Sequence, residues 1–211
     1  PGLGTIQPSQ SDYFQATKGG AHGDFHLIVL APNSVQEMHD FVFDAFDLAF
    51  KYRNPVMILS DGVIGQMMEK VVLADQRPRR TAEEIIAQDG DWALTGKTAD
   101  RKEHVITSLE LDPYAQERFN EKLIAKYAKI RENEVRYEEF MTEDADYIIV
   151  AFGSAARICR MTVEMAREAG YKVGLVRPIT LYPFPSKVLH DLAARGVKGF
   201  LSAELNHGQM V

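Results

Sequence analysis

The chain has 211 residues, with 24 Lys plus Arg against 30 Asp plus Glu and a net charge of -6. Hydrophobic residues make up 45% and charged residues 26%, which excludes a wholly disordered or collagen-like chain. The acidic balance argues against a nucleic-acid or anionic-membrane surface, and no apolar run approaches the ~20 residues of a membrane span.

The single cysteine, Cys159, excludes an internal disulfide, a four-cysteine zinc site and a cysteine-held iron–sulfur cluster within these residues. It points to a reducing, cytoplasmic setting. The start, Pro1-Gly2-Leu3-Gly4-Thr5, has no methionine and no basic-then-apolar leader, and reads like the middle of a loop. The end, Ala203 to Val211, stops just after an expected strand, so a piece of a longer protein is expected.

Residues 1–23 are rich in Gly, Ser, Gln and Thr, with one short helix expected around Ser11 to Ala16. Phe25 to Ala31 is an apolar run of strand length stopped by Pro32. Ser34 followed by Glu37 forms the pattern of a capping box. Val35, Met38, Val42, Ala45, Phe46 and Ala49 then recur at helical spacing, predicting an amphipathic helix to about Tyr52. Asn54-Pro55 breaks it, and Val56 to Leu59 predicts a second strand ending at Ser60-Asp61-Gly62. Strand, helix and strand within ~40 residues predict a βαβ unit with parallel strands.

From Glu69 to about His104 the apolar rhythm fades, and the stretch reads as an excursion. Asp112-Pro113 places a cap and a first-turn proline at the start of a long helix running to about Asn133. Tyr147 to Phe152 predicts a buried strand, and Gly153-Ser154 turns it into a helix capped by Gly170. Lys172 to Val176 predicts a strand, Pro185 to Arg195 a helix, and Val197 to Ala203 a strand. The fold class is α/β with two parallel-sheet lobes, divided as residues 1–68, a connecting excursion and helix over 69–145, and a second lobe over 146–211.

Several features offer chemistry. Gly153-Ser154-Ala155-Ala156 lies where a helix N-terminus can bind phosphate. It lacks the three-glycine dinucleotide fingerprint, and its second strand ends at Arg177-Pro178 rather than at an acidic residue. A tight scaffold turn accounts for it better than nicotinamide binding. The six histidines form no zinc signature. His22 stands out among glycines in Gly19-Gly20-Ala21-His22-Gly23-Asp24, where the alternative is a turn needing positive φ. Residues 1–12 gather Thr5, Gln7, Ser9, Gln10 and Asp12 on a permissive backbone, as site-lining loops do; an ordinary polar loop is the alternative. Asp61-Gly62 lacks the longer Gly-Asp-Gly signature of thiamine diphosphate enzymes and reads as a strand-ending turn, so no metal site is expected.

Pro1 to Asp12, Gly19 to Asp24 and Pro55 to Gly62 together closely resemble the alpha chain of the 2-oxoacid:ferredoxin oxidoreductases, first the 2-ketoisovalerate type and second the 2-oxoglutarate type. Val150 to Ser154, Val176 to Pro185 and Glu204 to Met210 resemble the same family, in its transketolase-C-terminal-like domain. The resemblance spans nearly the whole chain in the family's order. It implies an incomplete thiamine-diphosphate-binding domain of the pyrimidine type followed by an incomplete transketolase-C-terminal-like domain.

The resemblance implies oxidative decarboxylation of a 2-oxoacid to acyl-coenzyme A, with electrons passed to ferredoxin. It places the diphosphate of thiamine diphosphate and its Mg2+ mainly on a beta subunit and the iron–sulfur clusters only on other subunits, with iron–sulfur and gamma subunits as further partners. The family's catalytic glutamate and an arginine-glycine-glycine stretch lie upstream of Gly2-Leu3-Gly4-Thr5, so no catalytic residue is expected in this chain and it is expected to be inactive alone. Gly2, Leu3, Gly4 and Thr5 are the residues expected to approach cofactor or substrate. Gln10 and Asp12 stand behind them, and His22 and Asp24 are further candidates with structural or interface roles as alternatives. Two other readings are a non-catalytic assembly module and an E1-type or transketolase-like subunit; coupling to ferredoxin separates the latter.

Overall fold

The computed structural model describes residues 8–19, 22–94, 99 and 103–211. The chain divides into two compact units, one of residues 1–72 and 120–211 and one of residues 73–119.

In the larger unit, helix α1 (Tyr13–Thr17) leads to strand β1 (Ile28–Leu30), helix α2 (Val35–Tyr52), strand β2 (Val56–Ile58) and short helix α3 (Gly62–Gln66). The expected βαβ unit forms, and β1 and β2 are parallel, with Ile28 opposite Val56 and Leu30 opposite Ile58. Ser34 caps α2 through its hydroxyl, which accepts from Glu37 N at 3.1 Å. The expected box is only half formed. The Glu37 carboxylate reaches the Asn33 N–H at 2.8 Å, one residue beyond the cap.

Three strands of the second sheet follow the expected pattern. Strand β4 (Tyr147–Val150) pairs in parallel with β5 (Val173–Pro178) and with β7 (Gly199–Ser202). Helices α6 (Gly153–Glu168) and α7 (Ser186–Ala194) are the crossovers. Gly170, at φ +90°, closes α6 as expected, and its N–H donates to Arg167 O at 3.0 Å.

Two strands appear where none was expected, and both are antiparallel edges. Strand β3 (Tyr137–Phe140) pairs with β5, giving the order β3-β5-β4-β7. Strand β6 (Thr180–Tyr182) leaves the second sheet and pairs with β1, giving β2-β1-β6. Both sheets are therefore mixed, and the first takes a strand from the C-terminal third of the chain.

The core explains why β1 is continuously apolar. Ile28 and Leu30 pack with Phe41 and Leu48 of α2 and with Tyr127 and Ile130 of helix α5 (Pro113–Asn133). Val29 faces the other way, with Ala31, Tyr13, Phe152 and Leu181. A strand covered on both faces needs no polar alternation. In the second sheet, Ile149 and Leu175 pack under Ala156, Cys159 and Val163 of α6, while Ile148, Val150 and Val176 pack on Val188 and Leu192 of α7.

The smaller unit holds helix α4 (Ala82–Asp89), inside the stretch whose fading apolar rhythm predicts an excursion. Thr81 and Glu84 close a full capping box there, with Glu84 N to Thr81 Oγ1 at 3.2 Å and Thr81 N to Glu84 Oε2 at 2.7 Å. Among the described residues no helix is long and apolar enough to cross a membrane.

Candidate functional site

In open α/β sheets ligands bind outside the carboxyl ends of the strands. Here the carboxyl ends of β2, β4 and β7 lead into Leu59-Ser60-Asp61, Ala151-Phe152-Gly153 and Ala203 to Asn206. The N-terminal segment crosses this end, and Gln10 is its anchor. Gln10 is 5% exposed. Its Nε2 donates to Phe152 O at 2.8 Å, its Oε1 accepts from Leu205 N at 3.1 Å, and its carbonyl accepts from Asn206 Nδ2 at 3.0 Å. Its own N–H donates to Leu205 O at 3.1 Å. One residue thus ties the start of the described chain to the ends of two strands.

Asp61 performs a second junction. Its Oδ1 accepts from Val63 N at 3.0 Å and Ile64 N at 3.1 Å, capping α3. Its Oδ2 accepts from the Ser154 hydroxyl and from Ser154 N at 3.4 Å, in the first turn of α6. The cap residue of α6 is Phe152, which has no side-chain acceptor, so Asp61 supplies the missing carboxylate from another element. The expected strand-ending turn is therefore a cap shared by two helices.

Gly153 makes the close approach possible. It has φ +57°, and a Cβ there would lie 3.0 Å from Gln10 Nε2 and 3.7 Å from Asp61 Oδ2. Gln10, Asp12, Ser60, Asp61 and Gly153 border a cavity of about 20 Å3, room for one water.

The loop after β7 is held over the same end. Asn206 Oδ1 accepts from Gly208 N at 2.8 Å and Gln209 N at 3.0 Å. Gln209 bridges back to Phe14 N at 2.9 Å and Ser11 O at 2.9 Å. Burial, with the Glu204 carboxylate beside it, pushes the Tyr13 phenol up to about 12.

Arg177, 3% exposed, lies mid-sheet opposite Glu138. Its guanidinium donates to Glu138 at 3.1 Å, to Ala31 O at 3.4 Å and to the Glu37 carboxylate. That guanidinium is committed to carboxylates of α2 and β3, which disposes of it as a reader of a ribose phosphate. His26 stacks on Tyr182 with centroids 4.3 Å apart, and its edge meets Tyr127 at 5.1 Å. Burial, and then the Arg131 charge, hold its pKa below the ordinary 6.5.

The sequence-derived candidates divide as follows. Gln10 and Asp12 border the cavity, Gln10 buried and Asp12 exposed at the start of α1. His22 and Asp24 are exposed before β1 and do not line it. Gly2, Leu3, Gly4 and Thr5 lie outside the described residues. Asp61 and Ser154 were read as turn residues. The signal available was their shared position, each just past the carboxyl end of a strand. Among the described residues no three His, Cys, Asp or Glu side chains converge on a metal-sized site.

Comparison with known proteins bears on the whole chain. Residues 1–139 match the family described as pyruvate flavodoxin/ferredoxin oxidoreductase, thiamine diphosphate-binding, and residues 145–211 match pyruvate:ferredoxin oxidoreductase core domain II. Ketoisovalerate oxidoreductase subunit VorB of Methanothermobacter marburgensis is 51% identical over 210 residues, covering 100% of this chain and 57% of that protein. The 2-oxoglutarate synthase subunit KorA of Methanocaldococcus jannaschii is 33% identical over 232 residues, covering 99% of this chain and 61% of that protein. The structure of 2-oxoglutarate:ferredoxin oxidoreductase from Magnetococcus marinus, with 2-oxoglutarate, coenzyme A and succinyl-CoA bound, superposes with a TM-score of 0.74 at 24% identity, over 100% of this chain and 40% of that one. This last is a likeness of fold. The chain spans 57% of the length of the VorB protein it matches.

Proposed function

Because the chain belongs to the pyruvate flavodoxin/ferredoxin oxidoreductase family, we propose that it is part of the alpha subunit of a 2-oxoacid:ferredoxin oxidoreductase acting on 2-ketoisovalerate. The observation that carries this reading is the 51% identity to a ketoisovalerate oxidoreductase subunit along the whole chain. The overall reaction joins the acyl group of the 2-oxoacid to coenzyme A, releases carbon dioxide and passes an electron pair to ferredoxin.

The described residues do not by themselves fit thiamine diphosphate with Mg2+. Their cavity at the strand ends is about 20 Å3, and no cluster of metal-ligating side chains stands beside it. The family resemblance supports placing the diphosphate and cation mainly on a thiamine-diphosphate-binding beta subunit, with this chain contributing a wall. The iron–sulfur clusters are read as lying only on other subunits, a reading supported by the single cysteine here, which is buried under α6 with its pKa raised by burial.

This chain's own task is positional. Gly2, Leu3, Gly4 and Thr5 approach the cofactor or substrate, and Gln10 holds the segment that follows them to the strand ends through four hydrogen bonds. Asp12 borders the same cavity. His22 and Asp24, both exposed before β1, stay further candidates, with a structural or interface role as the alternative.

The test is to purify the full-length protein with its partner subunits and measure viologen reduction with 2-ketoisovalerate, 2-oxoglutarate and pyruvate. Coenzyme A and thiamine diphosphate are supplied and withheld. The expected result is coenzyme-A-dependent reduction, fastest with 2-ketoisovalerate and absent without the partner subunits. A complex that binds thiamine diphosphate yet oxidises none of these acids would overturn the proposal.

A further inference from the structure

The smaller unit carries the densest run of positive charge in an otherwise acidic chain, Arg77-Pro78-Arg79-Arg80, directly before the α4 cap Thr81. The run and one side of α4 border a hollow of about 860 Å3. Sites for small molecules occupy roughly 300–1,000 Å3. Pro78 and Ala87 give this hollow some apolar surface beside its charged wall.

Three arginines meet a single carboxylate on that wall, Glu84. Glu84 Oε2 is occupied by the capping bond from Thr81 N at 2.7 Å. Asp75 and Glu83 flank the run in sequence without lining the hollow. Arg80 lies along α4, where its Nη1 donates to Gln88 Oε1 at 2.8 Å and to Asp89 Oδ2 at 3.3 Å. Arg79 is exposed and has no partner among the described residues. Like charges held this near one another repel, and a multivalent anion among them replaces that repulsion with attraction. All three cations are arginines, whose planar forks of donors match the oxygens of phosphate groups.

We propose that Arg77, Arg79 and Arg80 bind the phosphate groups of coenzyme A. The inference rests on the reading of this chain as part of an enzyme that acylates coenzyme A. Of that reaction's substrates, the 2-oxoacid brings one carboxylate, whereas coenzyme A brings a diphosphate and a 3′-phosphate, enough acceptors for three guanidinium groups. A hollow of this volume admits a molecule of that size, whereas an acidic protein surface presents its carboxylates on a convex face. The purine ring has Pro78 and Ala87 to rest on.

The experiment uses the full-length protein assembled with its partner subunits. Viologen reduction gives KM for coenzyme A and for 2-ketoisovalerate, and titration calorimetry gives Kd for coenzyme A. Arg79→Gln is expected to raise both coenzyme A constants by about tenfold, the loss of one charge-assisted contact, with no change in KM for 2-ketoisovalerate. Arg79→Lys is expected to recover part of the loss, because it keeps the charge without the fork. Lys187→Gln, which removes an exposed cation on α7, is expected to change neither coenzyme A constant. An equal loss in Lys187→Gln would overturn the site in favour of net charge alone. Unchanged coenzyme A constants in an Arg79→Gln complex that reduces dye would overturn it while leaving the proposed function intact. Unchanged Kd together with weakened subunit assembly would overturn it in favour of an acidic protein surface. Coenzyme A binding that Arg79→Gln weakens, in a complex that reduces no dye with any 2-oxoacid, would leave the site standing and sink the function.

Discussion

The Asp61 carboxylate accepts a hydrogen bond from the Ser154 hydroxyl across 93 residues of sequence, while its other oxygen caps α3. Removing one acceptor group therefore uncaps two helix ends. Asp61→Ala is expected to lower stability by about 2–4 kcal/mol, the sum of a cap and a buried charge-assisted hydrogen bond. Asp61→Asn retains one acceptor and is expected to lose about half as much. Urea unfolding of the full-length variants measures both, and equal stability for Asp61→Ala and wild type would refute the shared cap.

Gly153 is the second element of that junction. Its left-handed φ of +57° and the 3.0 Å approach to Gln10 Nε2 both oppose a side chain. Gly153→Ala is expected to cost about 1–3 kcal/mol. Gln10→Ala removes the group the new methyl would strike, so the double variant is expected to be less destabilised than the two single losses added together. Strict additivity in thermal unfolding would show that the two residues do not touch.

Arg177 is buried between two carboxylates, Glu37 and Glu138. Arg177→Met leaves Glu37 partly buried without its partner and is expected to destabilise by about 2–4 kcal/mol. Arg177→Lys is not expected to rescue it, since a single ammonium nitrogen lacks the two separated, planar nitrogens that reach Glu138 and Glu37 at once. Full recovery of the melting temperature in the lysine variant would contradict the forked geometry.

The lowered pKa of His26 has a signed consequence. Burial and the Arg131 charge keep the folded-state pKa below 6.5, the unfolded chain's ordinary value. Between those two values the unfolded chain binds the proton that the folded chain does not, so stability falls as pH drops through 6.5 and below. His26→Phe keeps an aromatic ring against Tyr182 and is expected to flatten this slope between pH 7.5 and 5.5. Identical slopes for wild type and variant would remove His26 as the cause.

Thr5 tests the proposed wall of the site. In the complete complex, Thr5→Ala is expected to lower turnover with little change in melting temperature. A lower melting temperature with unchanged turnover would assign Thr5 a purely structural part.

Much of the local structure was legible from the chain. Ser34 and the apolar spacing from Val35 to Ala49 specify α2 because cap and stripe lie within one helix. Asp112-Pro113 opens α5 for the same reason, with Tyr114 N donating to Asp112 Oδ1 at 3.1 Å. Helix α4 was missed because its two large apolar residues, Ile85 and Ile86, are adjacent and leave no stripe to see, although Thr81 and Glu84 carried a readable box. Strand β3, Tyr-Glu-Glu-Phe, was missed because two charges fill its centre, and Glu138 is held there by Arg177 on the neighbouring strand and by Arg160 of α6.

The chain by itself determined the α/β class, the βαβ unit of β1, α2 and β2, the family resemblance and the cysteine count, since each rests on composition or on order within a short window. Tertiary structure alone decided that β6 crosses to β1, that Asp61 caps α6, and that Gln10 meets Phe152 from 142 residues away. Those pairings are chosen by which polar groups remain unsatisfied once the apolar faces have packed. Such a choice depends on the whole assembled core and leaves no periodicity in any local stretch of sequence.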